Sequence, residues 1–223
     1  MIRIDTPESI YAIFMMRDDS PDELDVMPRV SPSQIHGDKI IHIHDDNALS
    51  LSLPERPEAD GVLLTTKKSS ASIRVADCTP VMICGEKWVM ILHSGFKGTV
   101  LNITAKGIEL VKRLYGDDEV RSAYAWVGPC IGRDDYERDV HEEWSMRGMN
   151  EFHRENYDVR DGKVYFDLDG EIESQLIESG VNEKNITMTG INTYRNHECY
   201  SYRRGDVQER MTLYVRIKKS LPV

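Results

Sequence analysis

The stretch Val81-Met-Ile-Cys-Gly-Glu-Lys-Trp-Val-Met-Ile-Leu-His93 sets two apolar runs on either side of Gly85-Glu86-Lys87. Two such runs around a short glycine-bearing turn predict a β-hairpin whose arms pair antiparallel. Outward from it, alternating or short apolar segments predict strands over 11–16, 39–44, 60–66, 72–76, 124–127, 186–191 and 211–217. Val100, Ile103, Ile108, Val111 and Leu114 recur at helical spacing and predict a helix over 99–115 ended by Gly116. Further helices are expected over 140–157 and over 171–179, the second closed by Gly180. Strands outnumber helices and cluster without strict βαβ alternation, so the chain reads as α+β with mixed sheets rather than as a doubly wound fold. The stretches near Pro21 and from Pro54 to Pro57 are too short to separate two cores, and one domain over residues 1–223 is expected.

Composition narrows the function classes. The 28 Lys and Arg stand against 38 Asp and Glu, a net charge of −10 that repels nucleic-acid phosphates. The longest apolar run, from Trp88 to Leu92, is far below the roughly 20 residues needed to span a bilayer. The first residues, Met-Ile-Arg-Ile-Asp-Thr-Pro-Glu, lack the apolar core of a secretory signal, so a cytoplasmic protein is expected. Cys78, Cys84, Cys130 and Cys199 are too few and too scattered for a disulfide scaffold and read as reduced thiols. No hydrophobic seam marks a homo-oligomer, which stays open.

The densest chemistry lies at the open ends of the central hairpin, in Ala76-Asp-Cys-Thr-Pro80 and His93-Ser-Gly-Phe-Lys-Gly-Thr99. Folding at residues 85–87 brings Cys78 and His93 together, within reach of one metal or one proton. Three readings follow. With His36, which precedes a glycine turn, they can hold a zinc ion and leave a position open for water. Alternatively Cys78 is a nucleophile and His93 its base, as in thiol hydrolases and amidases. The third is a buried apolar thiol beside a satisfied strand-end histidine. Gly95 and Gly98 permit close backbone approach, and the predicted 99–115 helix would turn its amino-terminal N–H groups toward an anion. Lys97 and Arg17 are candidate phosphate contacts. Tyr200-Ser-Tyr-Arg-Arg204 can stack a base or hold phosphate, with Arg203 the candidate contact, or can form internal ion pairs. Gly128-Pro-Cys-Ile-Gly132 reads as a tight structural turn, and His42 and His44 as a solvated strand face.

Gln34-Ile-His-Gly-Asp38, Ala76-Asp-Cys-Thr-Pro80, His93-Ser-Gly-Phe-Lys-Gly-Thr99, Gly128-Pro-Cys-Ile-Gly132 and Ser201-Tyr-Arg-Arg204 together resemble, in order, the YfiH family. The family is also known as laccase-domain or polyphenol oxidase proteins and as purine nucleoside phosphorylases, and the likeness runs from about Phe14 to Ile217. It implies a layered α/β/β/α sandwich and one zinc held by His36, Cys78 and His93. It also implies cleavage of purine nucleosides with phosphate, methylthioadenosine included, beside adenosine deamination, with Asp77 as a proton shuttle. Arg17 falls where the family has a phosphate or substrate contact. Three departures stand out: a shortened loop after Arg17, Asn192-Thr-Tyr-Arg195 in place of a cysteine pair, and Phe96 in place of tryptophan. Seven histidines with one His-x-His argue against a multicopper centre, so copper is less expected than zinc. A separate likeness, in fold and Cys–His spacing only, is to the deamidase domain of cytotoxic necrotising toxins, which keeps the thiol-hydrolase alternative. A member that binds a nucleotide or a partner without turnover is the third functional reading.

Overall fold

Period-two alternation decides where the core lies. In β2 (Ile10–Met15), Ile10, Ala12 and Phe14 join the main core, whereas Ile13 and Met15 join a small cluster with Tyr214 on the other side. The computed structural model describes residues 1–19, 27–48 and 56–218. Part of the loop after Arg17 and the first half of the stretch from Pro54 to Pro57 lie outside the described residues.

Five strands form the first sheet, in the order β1 (Ile2–Arg3), β2, β14 (Met211–Ile217), β6 (Ser70–Val75) and β3 (Arg29–Val30). Only β3 runs parallel to its neighbour. The second sheet has the order β13 (Ile186–Met188), β9 (Tyr124–Val127), β7 (Thr79–Cys84), β8 (Val89–Ser94), β5 (Gly61–Leu64) and β4 (Ile40–Ile43). Its centre is antiparallel, and both edge pairs, β13 with β9 and β4 with β5, are parallel. A small antiparallel sheet joins β10 (Glu137–Asp139), β12 (Lys163–Phe166) and β11 (Tyr157–Arg160). The chain is therefore α+β with mixed sheets.

The two large sheets face each other across Phe14, Ile73 and Leu213 on one side and Leu64, Met82 and Ile91 on the other. Burying each such side chain contributes about 1.5–3 kcal/mol before conformational entropy is charged against it. On its other face the six-stranded sheet turns Leu63, Val81 and Met90 toward α2 (Ile103–Tyr115) and α5 (Leu168–Glu178). Among the described residues there are three shorter α-helices, α1 (Phe96–Val100), α3 (Asp117–Ser122) and α4 (Glu143–Glu151), and three single 3-10 turns.

The central hairpin forms as expected, with Cys84 opposite Val89 and Pro80 opposite His93. Three expectations are corrected. The helix over 99–115 is two helices, because Asn102 takes a left-handed backbone (φ 54°) and caps α2 by accepting from the Ala105 N–H at 2.9 Å. The helix over 140–157 is confined to α4, since Phe152 leaves it to pack with Phe96 and Phe166. The strand over 186–191 stops at Met188, and Gly190 then turns the chain at φ 61°.

Candidate active site

β8 alternates so that Val89 and Ile91 face the space between the sheets, and His93 follows on that side at the strand's end. Beyond β6 the chain turns at Asp77 (φ 78°), which puts Cys78 next to that end. His36 arrives from a loop with φ 57°, and its ring meets that of His93 edge-on, centroids 4.9 Å apart. One ligand atom from each of His36, Cys78 and His93 lies within 4.8 Å of the others, and this is the one such group among the described residues.

Asp60 holds the arrangement. Its carboxylate, wholly buried, accepts from the backbone N–H groups of His36 (3.0 Å) and Gly37 (2.7 Å) and from Nδ1–H of His93 (2.8 Å). The last bond fixes the His93 tautomer, so Nε2 is the nitrogen left to serve as ligand or base. Gly95 is required on the opposite side: a Cβ there would lie 2.7 Å from Cys78 Sγ. The donor set of one thiol and two imidazoles, with a carboxylate behind one imidazole, fits a zinc ion, whose bonds of about 2.0–2.3 Å would draw the three together. Burial works to raise the Cys78 pKa, but His93 and His36 outweigh it and hold it at about 6. Burial likewise works to lower His93, yet Cys78 and Asp60 raise it to about 9. Without a metal the pair is therefore thiolate and imidazolium at neutral pH.

These groups open onto a cavity of about 790 Å³. Among the described residues its charged lining is Lys97, Arg56, Arg74, Arg138, Arg203 and Arg210 against one carboxylate, Asp77. Lys97 stands 4.9 Å from the Trp144 ring centroid. Arg203 reaches the carbonyls of Asp135 and Glu137 at 3.4 Å each. Asp77, expected to carry protons, accepts instead from the Thr193 hydroxyl (2.6 Å) and the Arg203 N–H (2.7 Å), so in this arrangement it positions those two segments. Arg17 is the expected site residue that the fold does not bring to the cavity. Its guanidinium is bound to Asp206 at 3.0 Å and lies 4.3 Å over the Tyr200 ring. The helix terminus beside the site belongs to the five-residue α1, and the long α2 begins only at Asn102, so the expected anion-attracting terminus is not formed.

Residues 15–218 match the family described as multi-copper polyphenol oxidoreductase laccase. The chain belongs to that laccase-domain family. It is 34% identical over 183 residues to a purine nucleoside phosphorylase of Aquifex aeolicus, covering 81% of this chain and 78% of the relative. A purine nucleoside phosphorylase of Rickettsia prowazekii is 28% identical over 177 residues, 77% of this chain and 68% of the relative. Among solved structures, NMB0706 of Neisseria meningitidis superposes with a TM-score of 0.80 at 18% identity, over 98% of this chain and 99% of that one. YfiH of Bacillus licheniformis gives 0.75 at 22% identity, over 88% and 76%.

Within this laccase-domain chain the segment Asn192-Thr-Tyr-Arg195 is held by hydrogen bonds. Thr193 bonds Asp77, while Asn192 and Arg195 each reach Asp135 at 2.7 Å. The tight turn expected at Gly128–Gly132 does not form: Cys130 makes a single parallel bridge with Asn192 and is buried, and burial pushes its thiol pKa well up. His42 sits on an edge strand and bonds Thr65 at 2.9 Å, outside the cavity. Sequence reasoning missed Asp60 and four of the cavity arginines. Asp60 precedes the apolar run of β5, where a buried acid stands out; Arg74 is the one exposed position in the otherwise buried β6.

Proposed function

We propose that the chain is a zinc-dependent purine nucleoside enzyme, cleaving the N-glycosidic bond of adenosine, inosine or methylthioadenosine with phosphate and deaminating adenosine. The observation that carries the reading is the meeting of His36, Cys78 and His93 in the wall of a cavity whose charged groups are almost all cationic. The relatives' names give the purine nucleoside class. A zinc ion bound there supplies a Lewis acid beside the substrate.

The chain's own residues do the rest. Lys97 and Arg203 hold the phosphate dianion, since ammonium and guanidinium donors match its oxygens. Arg138 stays fixed by Glu142 at 2.5 Å and by stacking over Phe96 at 4.3 Å, so it contributes field rather than a moving contact. Tyr136 and Tyr202 offer faces on which a purine can stack. Holding phosphate and sugar in one cavity removes much of the entropic cost of their encounter. Supplying adenosine with phosphate should give adenine and ribose 1-phosphate, with inosine as the deamination product, all absent from a Cys78→Ala variant. Products that persist in the variant would refute the assignment.

A second reading is favoured by one observation: Cys78, His93 and Asp60 stand in the order nucleophile, base and orienting acid, with the thiol already ionised. A metal-free enzyme that hydrolyses amides through a thioester at Cys78 would establish it in place of the first.

A further inference from the structure

The cavity's cations fall into two sets. Arg138 is paired with Glu142, Lys97 lies against the Trp144 ring, and Arg203, bonded to the carbonyls of Asp135 and Glu137, is held through its own N–H by Asp77 beside Cys78. Arg56, Arg74 and Arg210 are different. Among the described residues none of the three pairs with a carboxylate, and Arg56 and Arg74 make no side-chain hydrogen bond. Arg210 donates only to main-chain carbonyls, those of Asp206, Val207 and Glu209.

The main chain of Arg74 is clamped while its guanidinium is left free. Gln34 Nε2 donates to the Arg74 carbonyl at 2.7 Å, and the Arg74 N–H donates to Gln34 Oε1 at 2.9 Å. Gln34 is two residues from His36, so one short loop carries both the clamp and a metal-ligating imidazole. Burial first, then repulsion from Arg56 and Arg210, lowers the Arg74 pKa. Three guanidinium groups held without a counter-charge, in a chain of net charge −10, are unfavourable alone and complementary to a polyvalent anion.

We propose that Arg56, Arg74 and Arg210 form a second anion subsite, which binds a phosphate ester carried on the sugar, so that the cavity takes the phosphorylated form of a purine nucleoside more tightly than the nucleoside itself. The inference rests on the purine nucleoside reading of the same cavity. Free phosphate is already accounted for by Lys97 and Arg203 near Cys78. Arg74 and Cys78 are four residues apart, at most about 13 Å of chain at about 3.3 Å per residue, a span that one nucleotide bridges. Guanidinium forks pair bidentately with phosphate oxygens, which favours an ester at this point over a neutral hydroxyl.

Calorimetric titration of the full chain at low ionic strength tests this with adenosine, adenosine 5′-monophosphate, ribose, ribose 5-phosphate and inorganic phosphate. Each phosphate ester should bind at least about tenfold more tightly than its unphosphorylated partner. In Arg74→Gln/Arg210→Gln that ratio should fall close to one, Arg56→Gln alone should move it the same way, and the exposed Arg121→Gln should keep it. Equal affinities in the parent, or a ratio preserved in the double variant, would overturn the proposal. So would loss of inorganic phosphate binding in the double variant with no ester preference in the parent, which would assign the subsite to free phosphate. If adenosine itself fails to bind, the nucleoside reading falls, yet arginine-dependent binding of ribose 5-phosphate would still support the subsite, and its absence would refute it.

Discussion

Asp60 accepts the N–H groups of His36 and Gly37 and the Nδ1–H of His93, so one buried carboxylate fixes the His36 loop and orients the His93 imidazole. Asp60→Asn keeps the shape but turns an NH₂ group toward donors, and zinc affinity should fall about 10–100-fold in competition with a chelator. Unchanged affinity would show that His93 needs no such support. Cys78 gives a second test at this scale. With its pKa at about 6, metal-free protein should be alkylated by iodoacetamide with a midpoint near that pH. Cys84, raised to about 12 by burial, and Cys199, raised to about 11 chiefly by burial, should stay unmodified, and added zinc should protect Cys78. A midpoint near that of a free thiol would mean that the two imidazoles do not act on it. Cys78 and His93 were legible because a local turn brings them together. Asp60 was not, because its partners lie 24 and 33 positions away in sequence and nothing in its own neighbourhood announces them.

Elements read well where their signals are local and poorly where tertiary packing overrides them. The Gly85–Lys87 hairpin is set by residues in contact along the chain. The five-stranded sheet joins β2 to β14, from opposite ends of the chain, and no periodicity reports such a pairing. The β11–β12 hairpin was missed although Asp161-Gly162, at φ 52° and 72°, is a favoured two-residue turn. Just before it His153 ties the end of α4 to α5: Nε2 bonds Glu178 at 2.8 Å and Nδ1 bonds the buried Glu171 at 3.1 Å. The Glu178 hydrogen bond is the largest influence on His153, burial opposes it, and Glu171 adds to it, so the folded pKa lies above the ordinary value. A raised folded pKa stabilises the fold fully below the unfolded pKa of about 6.5, and that contribution is lost as pH rises through the folded pKa. Urea midpoints should therefore drop more in the parent than in His153→Gln as pH is raised from about 6 to about 9. Parallel profiles would remove His153 from the coupling of these helices.

At the scale of the whole molecule, charge is segregated: the chain has a net charge of −10, yet among the described residues the cavity is lined by six cations and one acid. A small anion gains from that contrast, whereas a long polyanion meets the acidic exterior. Among the described residues no helix is long and apolar enough to cross a membrane. Net charge was readable from composition, but its segregation was not, since Arg56, Arg74, Arg138, Arg203 and Arg210 come from scattered segments that only the fold assembles. His36, Cys78 and His93 form a group that could hold one metal ion in the wall of this cavity. Elemental analysis of the purified parent beside Cys78→Ala tests it most directly. About one zinc per parent chain, with none retained by the variant, is the expected result. A metal-free parent, or a variant that keeps its zinc, would contradict it.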